Sequence, residues 1–266
     1  MKLGLKGKVA VVTGSSKGIG KAIARSLAAE GSEVVLCARD KKALDRAAAE
    51  IAQEGIKPLT VPVDLMRSHA AKEVIQETIK RFGRVDILVN NLGGPLHFAS
   101  FMELSDDDWK AELELDLMIA VRMCREAIPP MKKQGGGRII NIASTSGIEM
   151  EAKFPDYRVG KAALIALGKY LSVELAPDNI LVNTVCPGAV WTPSWEYEAA
   201  VLSKKEKIPA EKILDQLKKE TDAAIPLGIG RPEEVARVVT FLASPQVTWM
   251  TGSTIRIDGG AAKLIL

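Results

Sequence analysis

"KVAVVTGSSKGIGKAIARSLAAEG", residues 8–31, decides the fold. An apolar β-branched run enters a glycine-rich turn, and the turn opens a stretch with apolar residues at i, i+3, i+4 and i+7 that stops at a glycine. That is strand, tight turn, helix. Gly14, Gly18 and Gly20 are spaced G-x-x-x-G-x-G. A β-carbon here would hold the backbone away from a pyrophosphate, whereas a bare turn lets the helix N-terminus offer N–H groups and a partial positive charge. The spacing is not the commonest dinucleotide fingerprint, and a ligand-free turn is the plain alternative; the strand before and helix after favour a nucleotide. Gly14, Ser16, Lys17, Gly18, Ile19 and Gly20 are the candidate contacts of this cradle.

Outward from that unit, "EVVLCA", "KPLTVPV", "VDILVNN", "GRIINIAS", "NILVNTVCPG" and "STIRIDGG" are further short apolar runs separated by helical patterns. Strands apolar on both faces belong in a parallel sheet covered by helices. The expected fold is α/β, a Rossmann-like doubly wound seven-stranded parallel sheet, with residues 1–266 forming a single domain. Residues 193–225 break the rhythm: rich in lysine and glutamate and marked by Pro193, Pro209 and Pro226, they read as one or two amphipathic helices forming a substrate lid. At the end of the second strand, where an acid would select NAD, the chain has Ala38 and then Arg39. With Lys17 nearby, Arg39 favours NADP(H); Asp40 begins the next turn.

Composition excludes several classes. The 36 basic and 33 acidic residues are spread along the chain, so neither a nucleic-acid tail nor a membrane patch is expected. The first residues lack an apolar run long enough for a signal or a spanning helix, which points to the cytoplasm. Cys37, Cys124 and Cys186 are odd in number and widely spaced, arguing against disulfides and against a metal site.

"YRVGK", residues 157–161, places Tyr157 and Lys161 one helical turn apart on one face. A free tyrosine titrates near ~10 and is a poor base at neutral pH. A cation about 4 Å away, at an effective dielectric near 20, contributes about 4 kcal/mol, or roughly three pK units downward. Lys161 is therefore expected to let Tyr157 act as acid or base in hydride chemistry at a carbonyl. Ser144, at the end of "GRIINIAS", is placed to hydrogen-bond the substrate oxygen. Singly, each is an ordinary helix, surface or turn residue; together with a nucleotide cradle they read as a catalytic set.

"TGSSKGIG", Asp64 of "VDL", "NNLGG" (90–94), Ser144, "YRVGK", "CPG" (186–188) with Thr192 after it, "GRPEEVA" (230–236) and "DGG" (258–260) occur in the order and spacing of one family. The chain resembles short-chain dehydrogenase/reductases, 3-oxoacyl reductases among them, over essentially its whole length. The resemblance implies that Ser144, Tyr157 and Lys161 are catalytic and that Tyr157 and Lys161 also meet the cofactor. It further implies that Asp64 and Leu65 flank the adenine, Asn91 and Gly93 line the ribose, and Val190 and Thr192 meet the nicotinamide carboxamide. Family members usually form homotetramers; a homotetramer or homodimer is expected, with Trp249 and the apolar tail "AAKLIL" as interface candidates.

Two departures stand out. Seven residues after Trp109, where the family pattern has an asparagine that links the lysine to solvent through water, this chain has Asp116. Either its backbone carbonyl keeps that role, or a buried carboxylate needs donors of its own or a raised pKa. Arg158 replaces a smaller residue after the tyrosine and is expected to face solvent or a neighbouring chain.

The leading expectation is an NADP(H)-dependent enzyme interconverting a small-molecule carbonyl and secondary alcohol. An NAD(P)-linked sugar or polyol dehydrogenase is the alternative within the enzymes, and an NADP(H)-binding regulatory protein with weakened catalysis, suggested by Asp116, the alternative outside them. Specificity is assigned to 193–225 and to "PLHFASFME" (95–103), with Trp191, Trp195, Tyr197 and Phe98 as an apolar wall and His97 as an ordinary loop histidine.

Overall fold

Each apolar run forms its strand in the computed structural model, which describes residues 2–264. The order along the chain is β1 (Val9–Thr13), α1 (Gly18–Ala29), β2 (Glu33–Ala38), α2 (Lys41–Ile51), β3 (Leu59–Pro62), α3 (Ala70–Phe82) and β4 (Ile87–Asn90). It continues with α4 (Asp106–Leu113), α5 (Ile119–Lys133), β5 (Gly137–Ile142), α6 (Pro155–Leu175) and β6 (Ile180–Pro187). The last elements are α7 (Ser194–Glu206), α8 (Ala210–Ala224), α9 (Pro232–Ala243) and β7 (Thr254–Ile257). The strands pair in parallel, in the order β3-β2-β1-β4-β5-β6-β7.

The two-sided apolar character of the strands is explained by two cores. Ala10 and Val12 of β1 pack on one face with Leu27, Leu36, Leu44 and Val239, under α1, α2 and α9. Val9 and Val11 point the other way, to Val35, Val74, Leu88 and Met123, under α3 and α5. Fully burying each of these side chains contributes about 1.5–3 kcal/mol, so truncating a central one such as Leu36 to alanine costs about 2–5 kcal/mol.

From the edge strand β3 the chain returns to β4, which lies beside β1. Strand order reverses there, and the carboxyl ends of β1 and β4 open a crevice between their diverging loops. That crevice is held together by side chains on both strands. Thr13 Oγ1 accepts from Asn91 N at 2.8 Å and Leu92 N at 2.9 Å, and Asn91 Nδ2 donates to the Thr13 carbonyl at 2.8 Å.

The 193–225 segment is two helices, α7 and α8, hinged at Lys207 with φ 59°. They bury little beyond Ala199 and Ile213, so their hold on the body is weak compared with that of α1 or α5. Among the described residues no helix is long and apolar enough to cross a membrane. Trp249 is 98% exposed; of the apolar tail, Ile265 and Leu266 lie outside the described residues. The three cysteines are free and buried.

Candidate active site

The turn after β1 adopts left-handed backbone at Gly14 (φ 65°) and Gly18 (φ 55°), conformations that disfavour any side chain. Gly20 is required for a different reason: a β-carbon there would lie 2.5 Å from both Asn91 Nδ2 and the Gly14 carbonyl oxygen. Its absence lets α1 press against the strap between β1 and β4. Lys17 begins α1 without capping its first N–H groups by a side chain, so the helix N-terminus is available to a phosphate. A dinucleotide fits this cradle. Ser16, Gly18 and Ile19 are half-buried along its rim and Lys17 is exposed. Ser15, which the sequence reading passed over, is buried and its hydroxyl accepts from Cys37 N at 3.0 Å, tying the turn to β2.

Arg39 is exposed just beyond β2, while Asp40 turns away to cap α2, accepting from Ala43 N at 3.0 Å. Asp64 Oδ1 accepts from Met66 N at 3.1 Å. Leu65 is buried in the core. Val190 is buried and bridges to Gly230; Thr192 packs its methyl near Gly18 and exchanges a 2.6 Å hydrogen bond with Ser194.

Ser144, Tyr157 and Lys161 come together. Ser144 follows β5, its Oγ accepts from Ser146 N at 3.1 Å, and its hydroxyl is near enough to the Tyr157 side chain to pull the phenol's pKa down. Phe154, left-handed at φ 54°, and Pro155 start α6 so that Tyr157 and Lys161 share its inward face. Lys161 Nζ lies 5.6 Å from the Tyr157 ring centroid and donates to the Ile142 carbonyl at 3.3 Å.

Asp116 joins them by direct contact. It sits in a π-helical turn, Glu114–Met118, between α4 and α5. Its Oδ1 is 3.2 Å from Lys161 Nζ and accepts from Gly94 N at 3.1 Å; the two charged side chains are 2% and 1% exposed. The buried carboxylate thus has its own donors. Gly93 makes room for the pair, since a β-carbon there would lie 2.5 Å from Lys161 Nζ.

This pairing corrects the electrostatic expectation for Tyr157. Burial pushes the phenol up; Lys161 and the Ser144 hydroxyl pull it down, but Asp116 and Glu112 push up again, and the net direction is upward. Treating the pair in isolation failed chiefly because it left burial of the phenol out of the balance, and also because it gave Lys161 no counter-ion. For Lys161 itself burial works against the ammonium, yet Asp116, Tyr157 and Glu112 outweigh it and hold the group above its ordinary range.

Arg158 overturns its expectation. It is 6% exposed, with Nε donating to the Lys153 carbonyl at 2.6 Å, Nη1 to the Glu149 carbonyl at 2.5 Å and Nη2 to Glu151 at 2.9 Å. It staples the loop that follows β5 onto α6. His97 is likewise more than a loop residue: its Nδ1 is 2.7 Å from Asp156 Oδ2. Asp156 and Glu112, both fully buried, were not singled out by sequence.

Beside this centre lies a cavity of about 460 Å³ between the 95–103 loop and the helices α7 and α8, lined by Phe98, Lys153, Phe154, Glu198, Lys205 and Ile213 among others. The expected apolar wall divides. Phe98 packs on Phe154 and Tyr197, with centroids 5.4 and 6.1 Å apart, whereas Trp191 and Trp195 pair with each other at 5.4 Å outside the cavity.

Comparison with known proteins agrees with this fold and this crevice. The family described as Enoyl-(Acyl carrier protein) reductase matches residues 14–262. Human "Dehydrogenase/reductase SDR family member 4" is 32% identical over 96% of this chain and 88% of its own length. The "3-oxoacyl-(acyl-carrier-protein) reductase FabG" of Aquifex aeolicus is 37% identical over 98% of this chain and 99% of its own. Among solved structures, L-sorbose reductase from Gluconobacter frateurii, complexed with NADPH and L-sorbose, superposes with a TM-score of 0.92 at 38% identity, covering all of both chains. The chain belongs to the short-chain dehydrogenase/reductase family.

Proposed function

We propose that this protein is an NADP(H)-dependent oxidoreductase that interconverts a small-molecule ketone and its secondary alcohol, with Tyr157 as the acid and base. The observation that carries the reading is the buried Lys161 beside the Tyr157 ring, with Ser144 close to the same tyrosine. When bound, the nicotinamide supplies or accepts the hydride. Ser144 orients the substrate oxygen and Tyr157 moves the proton at that oxygen. Lys161 holds positive charge beside the phenol, and Gly14 to Gly20 with the uncapped start of α1 hold the pyrophosphate. Lys17 and Arg39 supply cations for a 2′-phosphate, Asp64 and the Leu65 main chain border the adenine, Asn91 and Gly93 the ribose, and Val190 and Thr192 the carboxamide. The α7–α8 pair acts as a lid, and the exposed Trp249 contributes to a subunit interface of a cytoplasmic homo-oligomer.

Two substrate classes named among the similar proteins can be weighed against the cavity. A 3-oxoacyl thioester suits Phe98 and Phe154; a ketose suits the charged part of the cavity, where burial raises the Glu198 carboxyl above its usual range despite Lys153. Likeness to L-sorbose reductase favours the ketose as the second reading. Turnover of L-sorbose and of acetoacetyl-coenzyme A, each with NADPH and NADH, separates them. Tyr157→Phe should lower kcat by about 10²–10⁴-fold; full turnover in that variant would remove Tyr157 from the chemistry. Arg39→Ala should weaken NADPH roughly tenfold, about 1.4 kcal/mol, and leave NADH unchanged.

A further inference from the structure

Behind Lys161 the charged side chains continue outward in single file. Glu112 stands beside Asp116, one turn earlier on α4, close enough for each carboxyl to act on the other. Glu112 Oε2 accepts from Leu96 N at 2.8 Å and lies 3.8 Å from His97 Nδ1. On its other side His97 presents Nε2 to Asp108 Oδ1 at 3.2 Å, and Asp108 reaches solvent at the start of α4. Two atoms of this file, Glu112 Oε1 and Asp116 Oδ2, are buried without a hydrogen-bond partner among the described residues. Two adjacent carboxyl groups with nothing between them are satisfied by one shared proton.

We infer that Asp116, Glu112, His97 and Asp108 form a side-chain proton path between Lys161 and bulk water, taking the place of the water-linked route expected at an asparagine. The inference rests on the assignment of Tyr157 as the acid. In ketone reduction Tyr157 gives one proton to the substrate oxygen and regains one from Lys161. Lys161 is recharged by the proton shared between Glu112 and Asp116, and His97 replaces that proton with one taken from water beside Asp108. One proton leaves solvent for each ketone reduced. None of the four touches the substrate; they act through Lys161.

The charged groups facing Glu112 support the assignment. Asp116, Asp156, Tyr157, Lys161 and His97 surround it, and burial first, then Asp116, raises its carboxyl to about 8, so that near neutrality it carries the proton the path requires. The ligand atoms of His97, Glu112 and Asp156 also lie within 4.8 Å of one another, a spacing that a metal ion accepts. The imidazole argues against that occupant. Both ring nitrogens already face carboxylates, Asp156 at 2.7 Å and Asp108 at 3.2 Å, so a metal would have to displace those contacts to reach the ring.

The test is a single turnover of the NADPH-loaded enzyme with L-sorbose or acetoacetyl-coenzyme A, whichever is reduced. NADPH absorbance follows hydride transfer and a pH indicator follows proton uptake. In the parent the two should run together. Glu112→Gln keeps the shape but cannot pass a proton, and its uptake should lag roughly tenfold. His97→Ala should lag likewise and be restored by added imidazole, since His97 is partly open to solvent. Both variants should bind NADPH, read by its fluorescence, as the parent does. Parent-like uptake in both, or no response to imidazole, overturns the path while leaving Tyr157 in place; turnover by Tyr157→Phe would instead overturn the assignment beneath it. Restoration by Zn²⁺ rather than imidazole would mark a metal site.

Discussion

The glycine turn and the Lys161 pocket lie at the same crevice and are built on opposite principles. The turn is a local object: eight consecutive residues set its backbone, and what matters is the side chains it lacks. The pocket is assembled from residues 93–97, 108–116, 144 and 156–161, and what matters is how buried charges compensate one another. One tolerates water and salt; the other depends on excluding them. Disturbing the turn should therefore act chiefly on binding, and disturbing the pocket on stability and proton movement.

The largest effect should follow from breaking the buried pair. Lys161→Met takes the cation away from Asp116, leaving it the Gly94 N–H and the proton shared with Glu112, and should cost about 3–5 kcal/mol in urea unfolding. It should also reduce kcat about as far as loss of Tyr157 does. Adding Asp116→Asn removes the orphaned charge, so the double variant should regain most of the stability and none of the activity. Equal stability in the single and double variants would mean that Asp116 takes up a proton once Lys161 is gone.

This difference in construction also governs what could be read from the chain. The strands and the first helix are legible because their periodicity is local, and the cradle because three glycines fall within one turn. Asp116 was found by its distance from Trp109, and a buried carboxylate with its own donors was one of two readings, but Lys161 as the donor was not legible because a π-helical turn, invisible in the residue pattern, brings the carboxylate onto the ammonium. Arg158 was misread because the carbonyls that receive it, at Glu149 and Lys153, come from a loop whose path no spacing rule gives. Glu112 left a faint mark, four residues before Asp116 on one helical face, and Asp156 another, beside Tyr157. His97 joins them only through the folded 95–103 loop.

A smaller effect should come from the turn. Gly20→Ala forces a methyl group against backbone and Asn91, and overpacking of that kind costs about 1–3 kcal/mol. Because the methyl pushes α1 away from the β1–β4 strap, NADPH affinity should fall further than stability does. Gly55→Ala is the control. Gly55 is also left-handed, at φ 86°, but has open space around it, so its alanine variant should lose about 1 kcal/mol and bind NADPH normally. If both variants bind equally well, close packing at Gly20 is not what shapes the cradle.

The pH dependence is the most diagnostic effect, because the turn has no counterpart to it. An ordinary glutamate titrates near ~4.3 when unfolded, whereas Glu112 in the folded chain is raised to about 8 by burial and by Asp116. Between those values the folded state holds a proton that the unfolded state has released, so stability falls as pH rises. The contribution is complete below the unfolded value, declines through neutrality and is gone above about 8. Glu112→Gln cannot titrate and should lose that decline, its urea midpoint improving relative to the parent at each step from pH 5 to 8. Gly20→Ala should run parallel to the parent over the same range. Parallel curves for Glu112→Gln as well would show that Glu112 is ionised in the folded protein, and the proton shared with Asp116 would go with it.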